Sequence, residues 1–241
     1  MKFSPFPLKN GTIPPINKQM QHTGHRQRLK DRFFQNGAMA LHDYELLELI
    51  LFLAIPRKDV KPLAKALLQH YQTLNNLLTQ QTNDLALFPG LGQSGALSLK
   101  LAQGLALKIT QETISESPIL NHPQQLTHYA RLRFPSPHVE QFLVFYLNDQ
   151  GHYLGDKILA SGTLDDVLIC PREIVRTALS YNATGIILVH NHPHGDATPS
   201  AADIETTKQL VHVLTPLRIK IRDHLIIGRA DTFSFHEAGY V

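Results

Sequence analysis

The sequence predicts a two-part chain of mixed α/β (α+β) class, an all-helical first half followed by a mixed sheet packed by helices. Three observations predict it. Between His22 and Ile114 apolar residues recur at helical spacing, and no strand-like alternation appears. Residues 115–123, Ser-Glu-Ser-Pro-Ile-Leu-Asn-His-Pro, break that pattern and read as a linker. Beyond them strand-like runs and helical stretches interleave, as in a sheet covered by helices.

Taken in order, residues 1–21 are rich in Pro, Gly, Asn and Lys and are expected to form a flexible basic tail. Residues 22–114 then form the helical part. Its first helix sets Arg26, Arg28, Lys30 and Arg32 on one side and Leu29 and Phe33 on the other. Asp43 is placed to cap a helix over Tyr44–Ala54, and Asp59 to cap the next, with Pro62 in its first turn. Leu74, Leu77 and Leu78 mark another short helix. In Leu85-Ala-Leu-Phe-Pro-Gly90-Leu-Gly92 a helix stops at a Gly-x-Gly turn, and a second helix begins behind it.

Residues 124–241 form the second part. A short helix over Gln124–Arg133 precedes the strand Glu140–Leu147, and Asn148-Asp-Gln-Gly151 turns it back into a partner over His152–Ser161. Val167–Cys170 reads as a short strand, and Pro171 opens a helix to about Tyr181. Gly185–Val189 is a buried strand, and Ser200–Leu214 a helix. Ile219–Arg222 and His224–Ile227 read as two strands, with Thr232–Phe235 as an edge.

Composition narrows the class. A chain of 241 residues with 43% hydrophobic content suits a soluble protein with real cores. The net charge is only +3, yet residues 1–35 carry seven bases against Asp31 alone. A basic arm on a near-neutral body suits a polyanion such as DNA. Cys170 is the only cysteine, which excludes an intrachain disulfide and a Cys-rich zinc site. The opening residues contain no uninterrupted apolar run of a secretory signal. The most apolar stretch, Leu46–Ile55, is too short to span a bilayer and contains Glu48. No membrane role and a cytoplasmic location are expected.

Chemistry concentrates in His190-Asn-His192-Pro-His194-Gly-Asp196-Ala-Thr-Pro-Ser200-Ala-Ala-Asp203. Residues i and i+2 of a strand share a face, so His190 and His192 stand side by side where the strand ends. Ser200-Ala-Ala-Asp203 has the form of a capping box with an acid at its fourth position. A strand end and a helix start joined by a tight loop can bring two imidazoles and one carboxylate to a point. Three such ligands leave one tetrahedral position of a zinc ion open, as in catalytic sites.

The pattern His-x-His, seven residues, Ser-x-x-Asp resembles the JAMM (MPN+) metalloprotease motif. His-Asn-His-Pro-x-Gly-Asp-x-Thr-Pro-Ser is close to the form found in RadC-like proteins. Tyr44-Glu-Leu-Leu, Pro89-Gly-Leu-Gly, Pro171-Arg-Glu-Ile, Asp223-His224-Leu-Ile and Ser234-Phe235 follow in that family's order, so the resemblance covers most of the chain. It implies a helix-hairpin-helix-like part joined to a JAB/MPN domain with a cytidine deaminase-like mixed sheet. It also implies one Zn²⁺ per chain, held by His190, His192 and Asp203. Glu140 would serve as the general base, and Ser200 would stabilise the oxyanion. Two positions depart from the pattern: His194 stands where a small residue is common, and Ala197 where Pro is common.

Three functions follow as hypotheses. One is a zinc hydrolase cutting an amide or isopeptide bond of an unidentified protein or peptide. Another is a DNA-associated, repair-linked protein whose hairpin (Gly90, Gly92) and basic arm (Arg26, Arg28, Lys30, Arg32) hold phosphates on amides and charges. A zinc deaminase needs a Pro-Cys-x-x-Cys partner motif, which one cysteine excludes. Glu173 and Glu205 compete with Glu140 for the base, and His224 is left either behind the metal's ligands or in the core.

Overall fold

The computed structural model describes residues 24–56, 58–134, 139–162, 169–193 and 195–241. The expected basic tail, His194, and Val167 with Leu168 of the expected short strand lie outside the described residues; Ile169 and Cys170 are not strand.

The first half is helical throughout: α1 (His25–Asn36), α2 (Asp43–Ala54), α3 (Lys61–Tyr71), α4 (Leu74–Leu78), α5 (Thr82–Leu87) and α6 (Gly92–Ser115). Leu29, Leu47, Leu51, Leu67, Leu85 and Leu99 meet in one buried cluster, each from the apolar stripe of its helix. Asp43 does not cap α2 but is its first residue; the Glu45 carboxylate instead accepts the His42 N–H at 3.1 Å. Asp43 and Glu45 then both sit in the first turn, where the helix dipole favours negative charge. Asp59 does act ahead of α3, accepting the Lys61 N–H at 3.0 Å.

Helix α6 runs for 24 residues and joins the two halves. Ala96 and Leu99 belong to the helical core, whereas Ile114 belongs to the core under the sheet. The expected linker is packed too. Ile119 is fully buried, and its N–H donates to Gly151 O at 2.9 Å.

Beyond α7 (Pro123–Arg133) come β1 (Glu140–Leu147), β2 (Tyr153–Gly162), α8 (Pro171–Ser180), β3 (Gly185–Asn191), α9 (Ala201–Leu214), β4 (Lys220–Ile227) and β5 (Thr232–Ser234). The two strands expected over 219–227 are one, continuous through Asp223. Spatial order is β2-β1-β3-β4-β5, with β3 and β4 parallel and the other pairs antiparallel. The sheet is therefore mixed, as expected.

Alternation along the strands builds two buried faces. Leu143, Phe145, Ile187 and Val189 pack against Leu126, Tyr129 and Ala130 of α7. Phe142, Val144, Ile186 and Leu188 pack against Ile174 of α8 and Leu210 and Leu214 of α9. His190 continues the second face and Asn191 the first. No helix among the described residues is long and apolar enough to cross a membrane.

Candidate metal centre

The end of β3 delivers His190 and His192, and the first turn of α9 delivers Asp203. Their ligand atoms lie within 4.8 Å of one another. His190 Nε2 is 3.0 Å from His192 Nε2 and 3.2 Å from Asp203 Oδ1, and His192 Nε2 is 3.7 Å from Asp203 Oδ2. A tetrahedral ion with ligands at about 2 Å has edges of roughly 3.3 Å, so the triangle has the right size for zinc.

The hydrogen bonds behind the triangle fix where the ring protons sit. Asp196 O only accepts, so His192 Nδ1, 2.9 Å away, carries its proton. Thr207 Oγ1 lies 2.6 Å from Asp203 O and donates its one proton there. It must then accept from His224 Nδ1 at 2.7 Å. His224 Nε2, left bare, accepts from His190 Nδ1 at 2.9 Å. Both ligand rings therefore present unprotonated Nε2 atoms toward the same carboxylate. Three lone-pair groups this close repel unless positive charge stands between them, and this observation carries the fit to a cation.

Electrostatics agree. Burial drives the His190 imidazole down to about 4, against the pull of Asp203, so it is neutral at pH 7, the form that ligates. Burial likewise holds His224 well below the usual imidazole range. The neighbouring Asp203 carboxylate raises His192, so positive charge is favoured at this point. Burial alone would raise Asp203, but His192, His190 and Ser200 together hold its carboxyl well below the usual carboxylate range.

Ser200 caps α9. Its hydroxyl donates to Asp203 Oδ2 at 2.7 Å and accepts the Asp203 N–H at 3.2 Å, while the Ser200 N–H donates to the same carboxylate at 2.8 Å. The box orients the ligand as well as starting the helix.

Glu140 opens β1 and lines the same cavity of about 490 Å³ as His190, His192, Ser200, Asp203 and His224. It is not one of the three grouped ligands. Asn191, 8% exposed, holds the backbone on both sides of it. Asn191 Oδ1 accepts the Gln141 N–H at 2.8 Å, and Asn191 Nδ2 donates to Val139 O at 3.0 Å. Backbone pairing between β1 and β3 stops at Phe142 and His190, so this side chain continues the ladder by one step. The rivals sit elsewhere. Glu173 pairs with Arg176 at 2.6 Å, and Glu205 accepts from Gln209 at 3.1 Å.

The loop between His192 and Ser200 is braced from below. His192 N–H donates to Ile227 O, Arg229 N–H to Gly195 O, and Ala197 N–H to Asp231 Oδ2. Arg131 of α7 in turn holds Gly228 O at 2.9 Å and Asp231 O at 3.3 Å.

Of the expected nucleic-acid contacts, Arg26 and the Gly90–Gly92 turn are linked: Ile55 and Lys58, whose carbonyls Arg26 holds, line one cavity with Gly90 and Gly92. Arg26 donates to Ile55 O and Lys58 O and stacks on Phe52 at 4.1 Å. Arg32 pairs with Glu45 at 2.7 Å. Both tie α1 to α2. Arg28 is exposed and Lys30 partly so. Gly90 and Gly92 do take positive φ, 86° and 63°, in the turn before α6. Lys100, the base downstream of that turn, donates to Leu78 O, Gln80 O and Gln103 Oε1 inside the chain.

Sequence alone assigns no role to Asn191, Thr207 or the brace at Gly228–Asp231; of the two places it offers His224, behind the ligands or in the core, the structure shows a buried ring hydrogen-bonded to His190. The available signals were Thr207 one helical turn beyond Asp203, and two polar residues, Asp223-His224, inside an apolar strand.

Comparison with known proteins places these features in a family. The RadC-like JAB domain model matches residues 120–240, and the UPF0758 N-terminal model matches residues 20–97. A UPF0758 protein of Ruegeria pomeroyi is 41% identical over 217 residues, covering 90% of this chain and 97% of that protein. Another, of Rhodobacter capsulatus, is 40% identical over 211 residues, covering 88% of this chain and 99% of the relative.

Proposed function

Because the chain belongs to the RadC-like JAB domain family, we propose that it is a metal-dependent hydrolase of amide or isopeptide bonds, with His190, His192 and Asp203 as the metal's ligands. The carrying observation is the convergence of two bare imidazole nitrogens and one carboxylate beside a carboxylate outside the ligand set. Zinc suits two nitrogens and one oxygen at this spacing; when bound, it supplies Lewis acidity and a water of lowered pKa.

The chain's own residues do the rest. Glu140 takes a proton from the attacking water and hands it to the departing amine. Asn191 keeps the Glu140 backbone in place through Val139 and Gln141. The Thr207–His224 pair keeps His190 in the tautomer that ligates through Nε2. Ser200 steadies Asp203 and, by turning its hydroxyl into the cavity, donates to the developing oxyanion.

The test uses fluorogenic peptides and ε-linked lysine isopeptides with the zinc-loaded full chain. Glu140→Gln should keep about one zinc per chain and lose turnover by at least 100-fold. His192→Ala and Asp203→Ala should lose the zinc. Turnover that survives Glu140→Gln would remove Glu140 from the mechanism, and zinc retained by both ligand variants would remove the site.

A second reading, association with DNA through the helical part, draws on the positive φ of Gly90 and Gly92, which leaves turn amides at the start of α6. Affinity for a DNA duplex that falls steeply with salt, and drops in a folded Arg28→Gln, Lys30→Gln variant, would support it.

A further inference from the structure

A second cavity, of about 320 Å³, opens between the helical half and the sheet half. Asn75 and Asn76 of α4 line it from one side. Arg131 of α7 and Arg229, two residues past β4, line it from the other. His192 and Pro193 line both this cavity and the one that holds the candidate metal ligands. The two cavities are therefore neighbours across a shared wall.

The lining is cationic. It contains two guanidinium groups and no Asp or Glu. Arg131 spends one nitrogen, Nη2, on Gly228 O and Asp231 O. Its Nε and Nη1 hydrogens have no partner among the described residues, and neither has the Arg229 side chain. The side-chain amides of Asn75 and Asn76 are likewise unused among the described residues. Asp231 attracts Arg131 from outside the lining, but its Oδ2 already accepts the Ala197 N–H at 3.2 Å. Burial lowers the Arg131 guanidinium, and Asp231 opposes this only in part. Two cations and two amides thus keep donors free around one polar space.

From this arrangement we propose that the second cavity receives a substrate carboxylate close to the bond that is cut. Arg229 and the free edge of Arg131 hold it, and Asn75 and Asn76 of the helical half add neutral donors. The inference deepens the hydrolase reading and rests on it for the substrate class, a peptide or an isopeptide. The anions such a chain carries are carboxylates, on Asp or Glu side chains or at its carboxyl end. A guanidinium offers a carboxylate two parallel charge-assisted bonds, which an amide side chain cannot match. An extended residue spans about 3.5 Å, and the cavities share His192 and Pro193. The carboxylate therefore falls within a few residues of the scissile bond. On this assignment the helical half takes part in choosing the substrate.

Amide chemical shifts of the isotope-labelled full chain test it, in titrations with three peptides. These are acetyl-Gly-Glu-Gly-Gly-amide, its Gln counterpart, and acetyl-Gly-Gly-Gly-Gly with a free carboxyl end. A carboxylate peptide should shift the Gly228 and Asn76 amides and bind at least about tenfold more tightly than the Gln peptide. Preference for the Glu peptide assigns an acidic side chain, and preference for the free carboxyl end alone assigns the chain end. Arg229→Gln should abolish the preference; Arg229 is the residue to change because Arg131 also braces the ligand loop. Equal affinity for all three peptides, or a preference that survives Arg229→Gln, overturns the proposal. The shifts report on the cavity with or without zinc and without turnover. Failure here is therefore distinct from failure of the hydrolase reading, which the fluorogenic substrates decide.

Discussion

The side-chain amide of Asn191 stands where a further strand residue would pair with Gln141, accepting its N–H at 2.8 Å. The same amide donates to Val139 O, so both peptide links flanking Glu140 are held by one side chain. Asn191→Leu removes both the acceptor of the Gln141 N–H and the donor to Val139 O. We expect it to bind zinc as the wild type does, to lose turnover by about 10- to 100-fold, and to speed hydrogen exchange at the Gln141 amide, at a cost of about 1–2 kcal/mol for each broken hydrogen bond. Unchanged exchange with unchanged turnover would remove the clamp from the argument.

Replacing His224 by Ala, or Thr207 by Val, leaves His190 Nδ1 without its ordered partner. His190 is then free to place its proton on Nε2, the atom that faces the ligand cluster. Zinc affinity measured by competition with a chelator should fall about 10- to 100-fold in each variant. Because the two residues act in series, the double variant should lose little more than either one. Additive losses would show that they act separately.

Gly228 underlies the ligand loop. A Cβ there would stand 2.6 Å from Ala197 N and 2.8 Å from Asp196 C, both main-chain atoms that cannot move aside singly. Gly228→Ala should therefore cost about 1–3 kcal/mol in thermal stability and weaken zinc binding as well, since Asp196 O orients His192. A variant with full stability and full affinity would show the loop to be slack.

Alkaline pH should loosen the face of the sheet under α7. Tyr129 and Tyr153 both donate to Asp156 Oδ2, at 2.6 and 2.7 Å, and Arg133 pairs with Oδ1. Burial and the bond to Asp156 push the Tyr129 phenol up to about 12. Up to pH 10, folded and unfolded chains both hold this phenol neutral, and its contribution is complete. Between pH 10 and about 12 only the unfolded chain ionises, so stability declines as pH rises. Melting curves across this window should show the decline, and Tyr129→Phe should make it shallower without abolishing it, because burial also pushes up the Tyr153 and Tyr146 phenols.

Much of this was legible in sequence because local rules and tertiary packing agree. The clustering of His190, His192 and Asp203 follows from strand periodicity at the two histidines and from a helix cap at Ser200 and Asp203, and the family resemblance supplies its reading as a metal site. The fold class follows from the loss of alternation in one half and its return in the other. What escaped depends on neighbours distant in sequence. Asn191 faces away from the His190–His192–Asp203 cluster and looks like a spacer until β1 is laid beside it. Asp223 and His224 suggested a break between two strands, yet buried hydrogen bonds satisfy both within β4. The basic face of α1 is legible in sequence, but the partners that Arg26 finds in carbonyls and Arg32, still half exposed, finds in Glu45 are not.

Helix α6 places Leu99 in one core and Ile114 in the other. Gln103, between them, donates to Leu132 O of α7 at 2.9 Å. A rigid rod lodged in both cores makes melting a shared event, because neither half can lose its packing without fraying the helix that serves the other. Calorimetry should record one heat-absorption peak for the whole chain, with van't Hoff and calorimetric enthalpies in agreement.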